Sequence, residues 1–166
     1  MTISAALQNA IDNLRLQDVY LRETFSRCHE DFDPKYPGER EALKVQQMHA
    51  IRQTTIADVE NNGKLVRVFI RLGVRWIDPD DDQEEPEVLA NIEAEFIAEY
   101  ALDSEIEQAC IDEFATRNAS VHVWPYWREF LASQCERMRL PRIVLPAWQL
   151  SHHRREERSV GQANQE

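Results

Sequence analysis

The chain has 166 residues, a length that fits one domain with a real hydrophobic core. Its formal net charge is −11, with 30 acidic against 19 basic residues, which argues against nucleic acid or an anionic membrane and favours a basic partner. No stretch approaches the roughly 20 apolar residues of a membrane span. The first residues are too polar for a signal peptide, so a cytoplasmic protein without membrane insertion is expected.

The N-terminal residues predict a short helix followed by a strand. The apolar residues at helical spacing are Ile3, Leu7, Ile11 and Leu14. They place an amphipathic helix at about residues 3–14, and a strand pattern follows at about residues 16–28.

Residues 29–41 predict a loop, because this segment contains two prolines, one glycine and five acidic residues. It also holds the aromatic residues Phe32 and Tyr36. Aromatic side chains in such a loop either pack on the body of the domain or form part of a binding surface, and the general tendency to bury them favours packing.

The middle of the chain predicts three strands joined by turns. Residues 42–59 resemble a long strand and residues 61–63, Asn-Asn-Gly, a tight turn. In residues 64–76 the apolar residues of one face are Val66, Val68, Ile70, Leu72, Val74 and Trp76, and those of the other face include Arg67, Arg71 and Arg75. Strict alternation of this kind is typical of a half-buried antiparallel strand.

Residues 91–100 repeat the alternation with the opposite charge. The inward residues are Ile92, Ala94, Phe96, Ala98 and Tyr100, and the outward residues include Glu93, Glu95 and Glu99. We expect the two strands to pair antiparallel with Arg67 opposite Glu99 and Arg71 opposite Glu95, because this register matches the charges. Residues 78–87, with seven acids and no base, predict a solvated loop between them.

Two helices are predicted near the C-terminus. The first ends at about residue 117, and the second begins at Pro125, because proline suits the first turn of a helix. The apolar face of the second helix contains Trp127, Phe130, Leu131, Cys135 and Met138. An extended apolar run, Ile143 to Leu145, follows this helix, and residues 151–166 predict a disordered polar tail.

Strands that precede helices indicate an α+β fold. We expect a four-stranded antiparallel sheet with two C-terminal helices packed on one face and a short N-terminal helix. A single domain is expected over residues 1–150, with its body at about residues 16–148.

The sequence offers little chemistry. There is no GxGxxG, P-loop, GxSxG or HExxH motif, and the histidines are dispersed. The three cysteines, which form no CxxC pair, are expected to be reduced. No catalytic residue, cofactor or metal site is predicted, and the protein is not expected to be an enzyme. The density of aromatic residues favours instead a surface for a partner chain.

One segment near the C-terminus resembles the signature of the SecB family of chaperones, in which Pro-Tyr-x-Arg-Glu opens a helix that precedes an apolar, proline-bounded run. The matching residues are Pro125, Tyr126, Arg128 and Glu129, with Leu145 and Pro146 closing the pattern. The loop residues Phe32, Tyr36 and Pro37 are similar to the aromatic crossover loop of that family. After Pro146 the chain departs from the family, whose members usually continue into a second long helix.

The resemblance implies an ATP-independent holdase, a homotetramer built as a dimer of dimers that binds unfolded proteins or preproteins in apolar grooves for protein export. The client-binding residues it implies are Phe32, Tyr36, Trp127, Phe130, Ile143, Leu145 and Trp148. In that family an acidic sheet face docks the SecA motor, and the corresponding residues here are Glu93, Glu95 and Glu99.

Two alternatives stay open. The N-terminal helix and the acidic insertion at residues 78–87 are similar to divergent SecB-like proteins, some of which serve toxin–antitoxin modules, so a dedicated chaperone with an antitoxin partner is the second interpretation. A small dimeric thioesterase-like enzyme is the third. The late position of both helices and the lack of a placed acid or base argue against this enzyme.

Overall fold

Four long strands form one antiparallel sheet in a computed structural model of the protein, which describes residues 3–38 and 42–146. The strands are β1 (Leu14–Cys28), β2 (Lys44–Val59), β3 (Gly63–Ile77) and β4 (Val88–Leu102). Their order across the sheet is β1-β4-β3-β2. The first two strands of the sequence therefore lie at opposite edges of the sheet, and the two most apolar strands lie in its middle.

In the described part of the chain three α-helices accompany the sheet: α1 (Ala5–Asn13), α2 (Gln108–Phe114) and α3 (Ser120–Met138). A π-helical turn at Ala115–Ala119 joins α2 to α3, so that they form one continuous helical run. The α+β fold, with its antiparallel sheet, short N-terminal helix and C-terminal helical layer, is confirmed. The two predicted C-terminal helices are two segments of this single run.

The predicted helix start at Pro125 is wrong, because Pro125 lies inside α3. Proline cannot donate the hydrogen bond that would go to the carbonyl four residues earlier, and in a helix interior this costs about 3 kcal/mol. Trp124 and Trp127, on either side of the proline in the sequence, are both buried against the sheet. Their packing stabilises a helical path that local propensity disfavours.

The two central strands have two different faces. The apolar residues of β3 and β4 that were predicted to point one way are all buried beneath the helices, and we call this side the helix face. The opposite side carries Arg67, Arg71 and Arg75, and none of the helices in residues 3–38 and 42–146 packs on it, so we call it the open face. The predicted register is confirmed, since Arg67 lies opposite Glu99 and Arg71 opposite Glu95.

The turn between β2 and β3 is as tight as the sequence predicted. A single turn of 3₁₀-helix, Glu60–Asn62, joins the strands, and Asn61 adopts a φ of 67°. Asparagine tolerates this left-handed conformation better than most residues do.

The connection from β1 to β2 crosses the whole width of the sheet, because these strands lie at opposite edges. Phe32 in this crossover loop joins the hydrophobic core on the helix face and is 8% exposed. The loop is therefore held on the helix side of the molecule. Of the two predicted aromatic residues in the loop, Phe32 is packed on the body, whereas Tyr36 is 71% exposed.

Helix α1 is tied to α2 by its N-cap. Ser4 Oγ accepts a hydrogen bond from the N–H of Leu7 at 3.0 Å and donates to Glu113 Oε1 at 2.7 Å. The three cysteines are free thiols. The predicted tail at residues 151–166 lies outside the described residues.

Candidate binding groove

A groove of about 450 Å³ lies on the helix side, between the crossover loop and the segment that follows α3. Its lining residues are Phe32, Pro34, Pro37, Ala42, Leu43, Val45, Trp76, Arg139, Pro141, Arg142 and Ile143. Most of these residues are apolar or proline, so the groove suits an apolar segment of another chain better than a polar small molecule.

The end of α3 shapes one wall of the groove. Arg139 adopts a φ of 59°, and the N–H of Leu140 donates to the carbonyl of Cys135 at 3.0 Å, which closes the helix and turns the chain back. The following segment is held to α3 by Trp124, whose Nε1 donates to the carbonyl of Pro146 at 2.8 Å. Burial raises the pKa of the Cys135 thiol to about 11, and a backbone hydrogen bond with Ile143 partly offsets this.

Five of the seven predicted client-binding residues fall into three groups. Phe32 and Ile143 line the groove together. Trp127 and Leu145 belong to the core at 1% and 4% exposure, so they support the groove without presenting their side chains. Tyr36 stands free at the loop tip with the Nζ of Lys35 5.3 Å from its ring centroid.

Of the remaining two predicted residues, Phe130 and Trp148, the structure describes only Phe130. Phe130 is partly buried and meets Phe96 edge to face, with ring centroids 6.4 Å apart. It also stacks on Trp127 at 6.1 Å. Trp148 lies outside the described residues. Client binding by these residues stays a prediction.

Sequence reasoning missed Trp76 as a groove residue, although it had placed this side chain inward. Trp76 is fully buried, and its Nε1 has no hydrogen-bond partner among the described residues. A buried donor without an acceptor is unfavourable, because it loses its bond to water and gains none in return. Trp76 therefore backs the apolar lining of the groove from within the core.

The groove adjoins an open strand edge. Among the described strands, β2 pairs only with β3, so its outer backbone N–H and C=O groups face away from the sheet. Val45 belongs both to this strand and to the groove. The large apolar side chains exposed along β2 are Val45, Met48, Ile56 and Val59. An apolar edge strand of this kind is a template for pairing with another extended chain.

The charge at the groove is opposite to the charge of the whole protein. Arg139 and Arg142 both line it and are exposed, and no carboxylate of the described residues forms a salt bridge with either one. The net charge of −11 predicted a basic partner. The groove itself favours a segment that carries acidic residues beside its apolar ones.

The open face differs from a plain acidic surface, because arginines pair with the three glutamates proposed for partner docking. Arg71 donates two hydrogen bonds to Glu93 Oε2, at 2.7 and 3.2 Å, and Arg67 lies 3.6 Å from Glu99. Glu95 is shared by Arg22 at 3.7 Å and Arg52 at 3.9 Å. A cationic partner at this face would have to displace these arginines.

Two arginines also cover apolar residues on the open face. The guanidinium carbons of Arg22 and Arg67 lie 5.1 and 5.4 Å from the ring centroid of Phe69. Phe69 and its cross-strand neighbour Ile97 are buried as a result.

The residues of the family motif lie on the outer side of α3. Pro125, Tyr126, Arg128 and Glu129 are all exposed. In this single chain they contribute little to the core.

Each histidine of the described residues is held by a different partner. His29 lies 2.6 Å from Asn91 Oδ1, His49 lies 2.6 Å from Ser120 Oγ, and His122 Nδ1 lies 2.9 Å from the Tyr100 hydroxyl. Burial lowers the pKa of His122. The Ser120–His49 pair has the spacing of a nucleophile and its base, but Ser120 is 2% exposed and beyond the reach of a substrate.

Neither a metal-binding cluster nor a membrane-spanning helix is found in the part of the chain that the structure describes. No group of three or more histidine, cysteine or acidic side chains there is arranged to hold a metal ion. None of the helices there is long and apolar enough to cross a membrane.

Comparison with known proteins supports the fold. No protein-family model and no curated protein matches the chain. Among solved structures it is similar to the Mycobacterium tuberculosis SecB-like chaperone Rv1957, solved in complex with a ChAD peptide from the antitoxin HigA1. The TM-score is 0.62 at 15% sequence identity, and the match covers 88% of this chain and 98% of that chain. The two proteins share a fold.

Proposed function

We propose that this protein is an ATP-independent chaperone that holds extended apolar segments of unfolded chains. The observation that carries the proposal is the apolar groove beside the crossover loop, which continues into the unpaired edge of β2. The structural similarity to a SecB-like chaperone supports it.

The mode of binding we propose is strand addition along β2. An extended client segment would pair its backbone with the outer edge of this strand, which gives affinity without selecting a sequence. Side chains of alternate client residues would then enter the groove, where Phe32 and Ile143 form its apolar lining. Several weakly bound segments on one oligomer would add to a tight complex, because each bound segment raises the effective concentration of the next.

The groove charge adds a preference among clients. Since Arg139 and Arg142 line the groove, we propose that apolar segments flanked by acidic residues bind better than those flanked by basic ones. Arg142→Glu is expected to weaken an acid-flanked peptide about threefold to tenfold and to strengthen its lysine-flanked counterpart. Fluorescence anisotropy of the two labelled peptides measures this. Equal affinities of both peptides for the unaltered protein would contradict the preference.

A dedicated antitoxin-type chaperone is the second candidate, and one observation favours it. The similar mycobacterial structure contains a peptide from an antitoxin. The pairing of Glu93, Glu95 and Glu99 with arginines argues against docking of SecA at the open face. A protein that binds one antitoxin segment tightly but fails to hold unrelated unfolded chains would be this dedicated chaperone.

We also propose that the protein acts as an oligomer, a homotetramer or at least a dimer, and without catalysis. The apolar face of α3 is covered by the sheet and is not available for a second copy of the chain. The support for self-association comes instead from the edge strand β1. Leu16, Leu21 and Phe25 of β1 are exposed large apolar side chains, and among the described strands β1 pairs only with β4. The buried Ser120 and the separate histidine pairs support a non-enzymatic role.

The test is suppression of aggregation of a reduced, slowly folding client, followed by light scattering without nucleotide. The unaltered protein is expected to slow aggregation in proportion to its concentration. The double substitution Leu43→Ser, Ile143→Ser should weaken holding, because both partly buried side chains line the groove. Tyr126→Ser, on the outer side of α3, is the matched control and should hold as well as the parent.

Two results would contradict the proposal. If the unaltered protein never slows aggregation, the holdase function is wrong. If the Leu43→Ser, Ile143→Ser variant keeps its native mass and circular dichroism spectrum and still holds clients like the parent, the groove assignment is wrong.

A further inference from the structure

A second pocket, of about 390 Å³, lies on the open face of the sheet, on the opposite side from the binding groove. It spans three strands close to the end of β1. Its lining includes the side chains of His29, Gln46, Met48, Arg75, Asn91 and Glu93, and Gly73 lies at its floor. Like the groove, it combines polar groups with apolar surface.

Of the three arginines of β3, Arg75 is the one that has no glutamate opposite it on β4. Arg67 and Arg71 lie opposite glutamates in the ladder, but Arg75 lies opposite the neutral Asn91. No carboxylate of residues 3–38 and 42–146 forms a salt bridge with Arg75. Its Nε donates to Gln46 Oε1 at 2.6 Å, which fixes the guanidinium at the pocket.

A second arginine lies beside the same asparagine. Asn91 has Arg75 opposite it on β3 and Arg27 opposite it on β1. Within the described part of the chain, Arg27 also forms no salt bridge with a carboxylate. Two cations thus flank one amide on the surface of a protein whose net charge is −11.

Both amide side chains of the pocket are oriented by neighbouring groups. Asn91 Oδ1 lies 2.6 Å from His29 Nε2, and the amide nitrogen of Asn91 donates to Glu93 Oε1 at 3.5 Å. Gln46 Oε1 is used by Arg75, which leaves the Gln46 amide nitrogen as a donor. A guanidinium with an amide donor beside it matches the acceptor oxygens of a carboxylate.

Glu93 lines the pocket, but its carboxylate is already engaged by other side chains. Glu93 Oε2 accepts two hydrogen bonds from Arg71. In the acidic loop, Asp81 accepts hydrogen bonds from the backbone N–H groups of Gln83 and Glu87 at 3.1 and 2.9 Å. The protein's own acids therefore do not supply the missing partner of Arg75.

Gly73 keeps the floor of the pocket low. A Cβ atom at this position would lie 3.0 Å from Met48 Cε and 3.2 Å from Glu93 Cγ. The side chains of Met48 and Val88 add apolar surface, which suits the methylene carbons of a ligand.

We propose that this pocket binds a carboxylate on a short methylene stem, with the carboxylate at Arg75 and the stem over Gly73 and Met48. A free dicarboxylate and a glutamate side chain of a partner protein share this chemistry. The site is separate from the groove, and its existence does not depend on chaperone activity.

The experiment is a titration of the full chain observed by ¹H–¹⁵N NMR. The probes are glutarate, with glutaramide as its uncharged isostere, and an acetylated Gly-Glu-Gly amide, with Gly-Gln-Gly as its neutral counterpart. At millimolar concentration a charged probe should shift the backbone amide of Gly73 and the side-chain amides of Gln46 and Asn91. The neutral probes should leave these signals in place.

Two variants and a control complete the experiment. Arg75→Gln is expected to weaken binding about tenfold or more, because a charge-assisted hydrogen bond is lost. Gly73→Ala should also weaken it by filling the floor while the arginine is kept. Arg15→Gln, which removes an arginine near the other end of β1, should bind like the parent. A melting curve of each variant verifies that it is folded.

The outcomes separate the two sources of the carboxylate. Binding of glutarate but not of the peptide indicates a small free ligand, and binding of the glutamate peptide indicates an acidic side chain of a partner. The proposal is overturned if neither probe shifts these three signals, if the shifts are scattered over the whole surface, or if they persist in Arg75→Gln.

Discussion

At the scale of single residues, Arg71 has a different partner from the one its register predicts. Glu95 lies opposite Arg71 in the ladder, yet Arg71 donates its hydrogen bonds to Glu93, its diagonal neighbour. The hydrogen bond to Glu93 is the main cause of the raised pKa of Arg71. Glu95 is left to Arg22 and Arg52, from the two edge strands.

We therefore expect the energetic coupling of Arg71 to be with Glu93. A double-mutant cycle of Arg71→Ala and Glu93→Ala should give about 1 kcal/mol, because the pair is partly shielded from water and makes two hydrogen bonds. The matched cycle with Glu95→Ala should give less than about 0.3 kcal/mol. Urea unfolding measures both. A larger coupling for Glu95 would show that the directly opposite pair dominates in solution.

The same comparison shows how far the sequence determines the open face. Alternation of charge was enough to fix the register, because a shift by one residue would bury the glutamates. It could not fix the ion pairs, since a long side chain reaches diagonal neighbours as well as the opposite residue. Nor could it show that Phe69 and Ile97 would be covered by arginines from other positions.

His122 makes stability depend on pH. Its Nδ1 is hydrogen-bonded to the hydroxyl of Tyr100, and burial lowers its pKa from 6.5. The unfolded state therefore binds a proton more readily than the folded state does. The free energy of unfolding should be highest above about pH 6.5 and should fall as the pH drops toward the pKa of the folded state.

The variant His122→Gln tests this dependence, because glutamine can still accept a hydrogen bond from Tyr100 but does not titrate. Chemical unfolding between pH 5 and pH 7.5 should show a shallower loss of stability for the variant than for the parent. Equal slopes for the two proteins would assign the acid sensitivity to other groups.

At the scale of elements, the strands were easier to predict than the helices. β3 and β4 follow the predicted alternation closely and pair as expected. β1 has two register shifts in its pairing with β4, which break its alternation and explain its weak sequence pattern. The sequence predicted a helix start at Pro125, because proline is typical of a helix boundary. In the structure α3 continues through Pro125, because burial of the neighbouring tryptophans stabilises the helix there.

The candidate groove depends on an arrangement that no local pattern contains. The sequence indicated Phe32 and Ile143, but the position of β2 at the edge follows from the strand order alone. The resemblance implied Trp127 as a binding residue, but its helical periodicity is also the signature of a core residue, and the structure places it in the core.

Pro125→Ala tests the cost of the proline inside α3. Alanine can donate the backbone hydrogen bond that proline lacks, so the variant should be more stable than the parent by about 1 kcal/mol or more. Thermal and urea unfolding measure the change. A loss of stability instead would show that the helix is adapted to the proline ring. The neighbouring exposed substitution Tyr126→Ala, which alters no backbone hydrogen bond, is the control.

At the scale of the whole molecule, the unpaired edge of β1 leads to an expectation about assembly. Light scattering should give a mass that is a multiple of the 19.5 kDa of one chain. The double substitution Leu21→Lys, Phe25→Lys should reduce it, because charges on an exposed strand edge oppose pairing. Ile56→Lys on β2 is the control and should leave the mass unchanged. A monomer for the unaltered protein would contradict the oligomer proposal.

The crossover connection also dictates the order in which the chain can fold. β2, β3 and β4 are neighbours both in the sequence and in the sheet, so each can pair as soon as it is made. β1 pairs with β4, in which Leu102 lies opposite Leu14, so β1 cannot pair until β4 has been made. Contacts this distant in sequence form slowly. During synthesis on the ribosome, β1 is therefore an exposed strand with no partner until the rest of the sheet exists. For that interval the nascent chain presents the same kind of segment that we propose the finished protein holds for others.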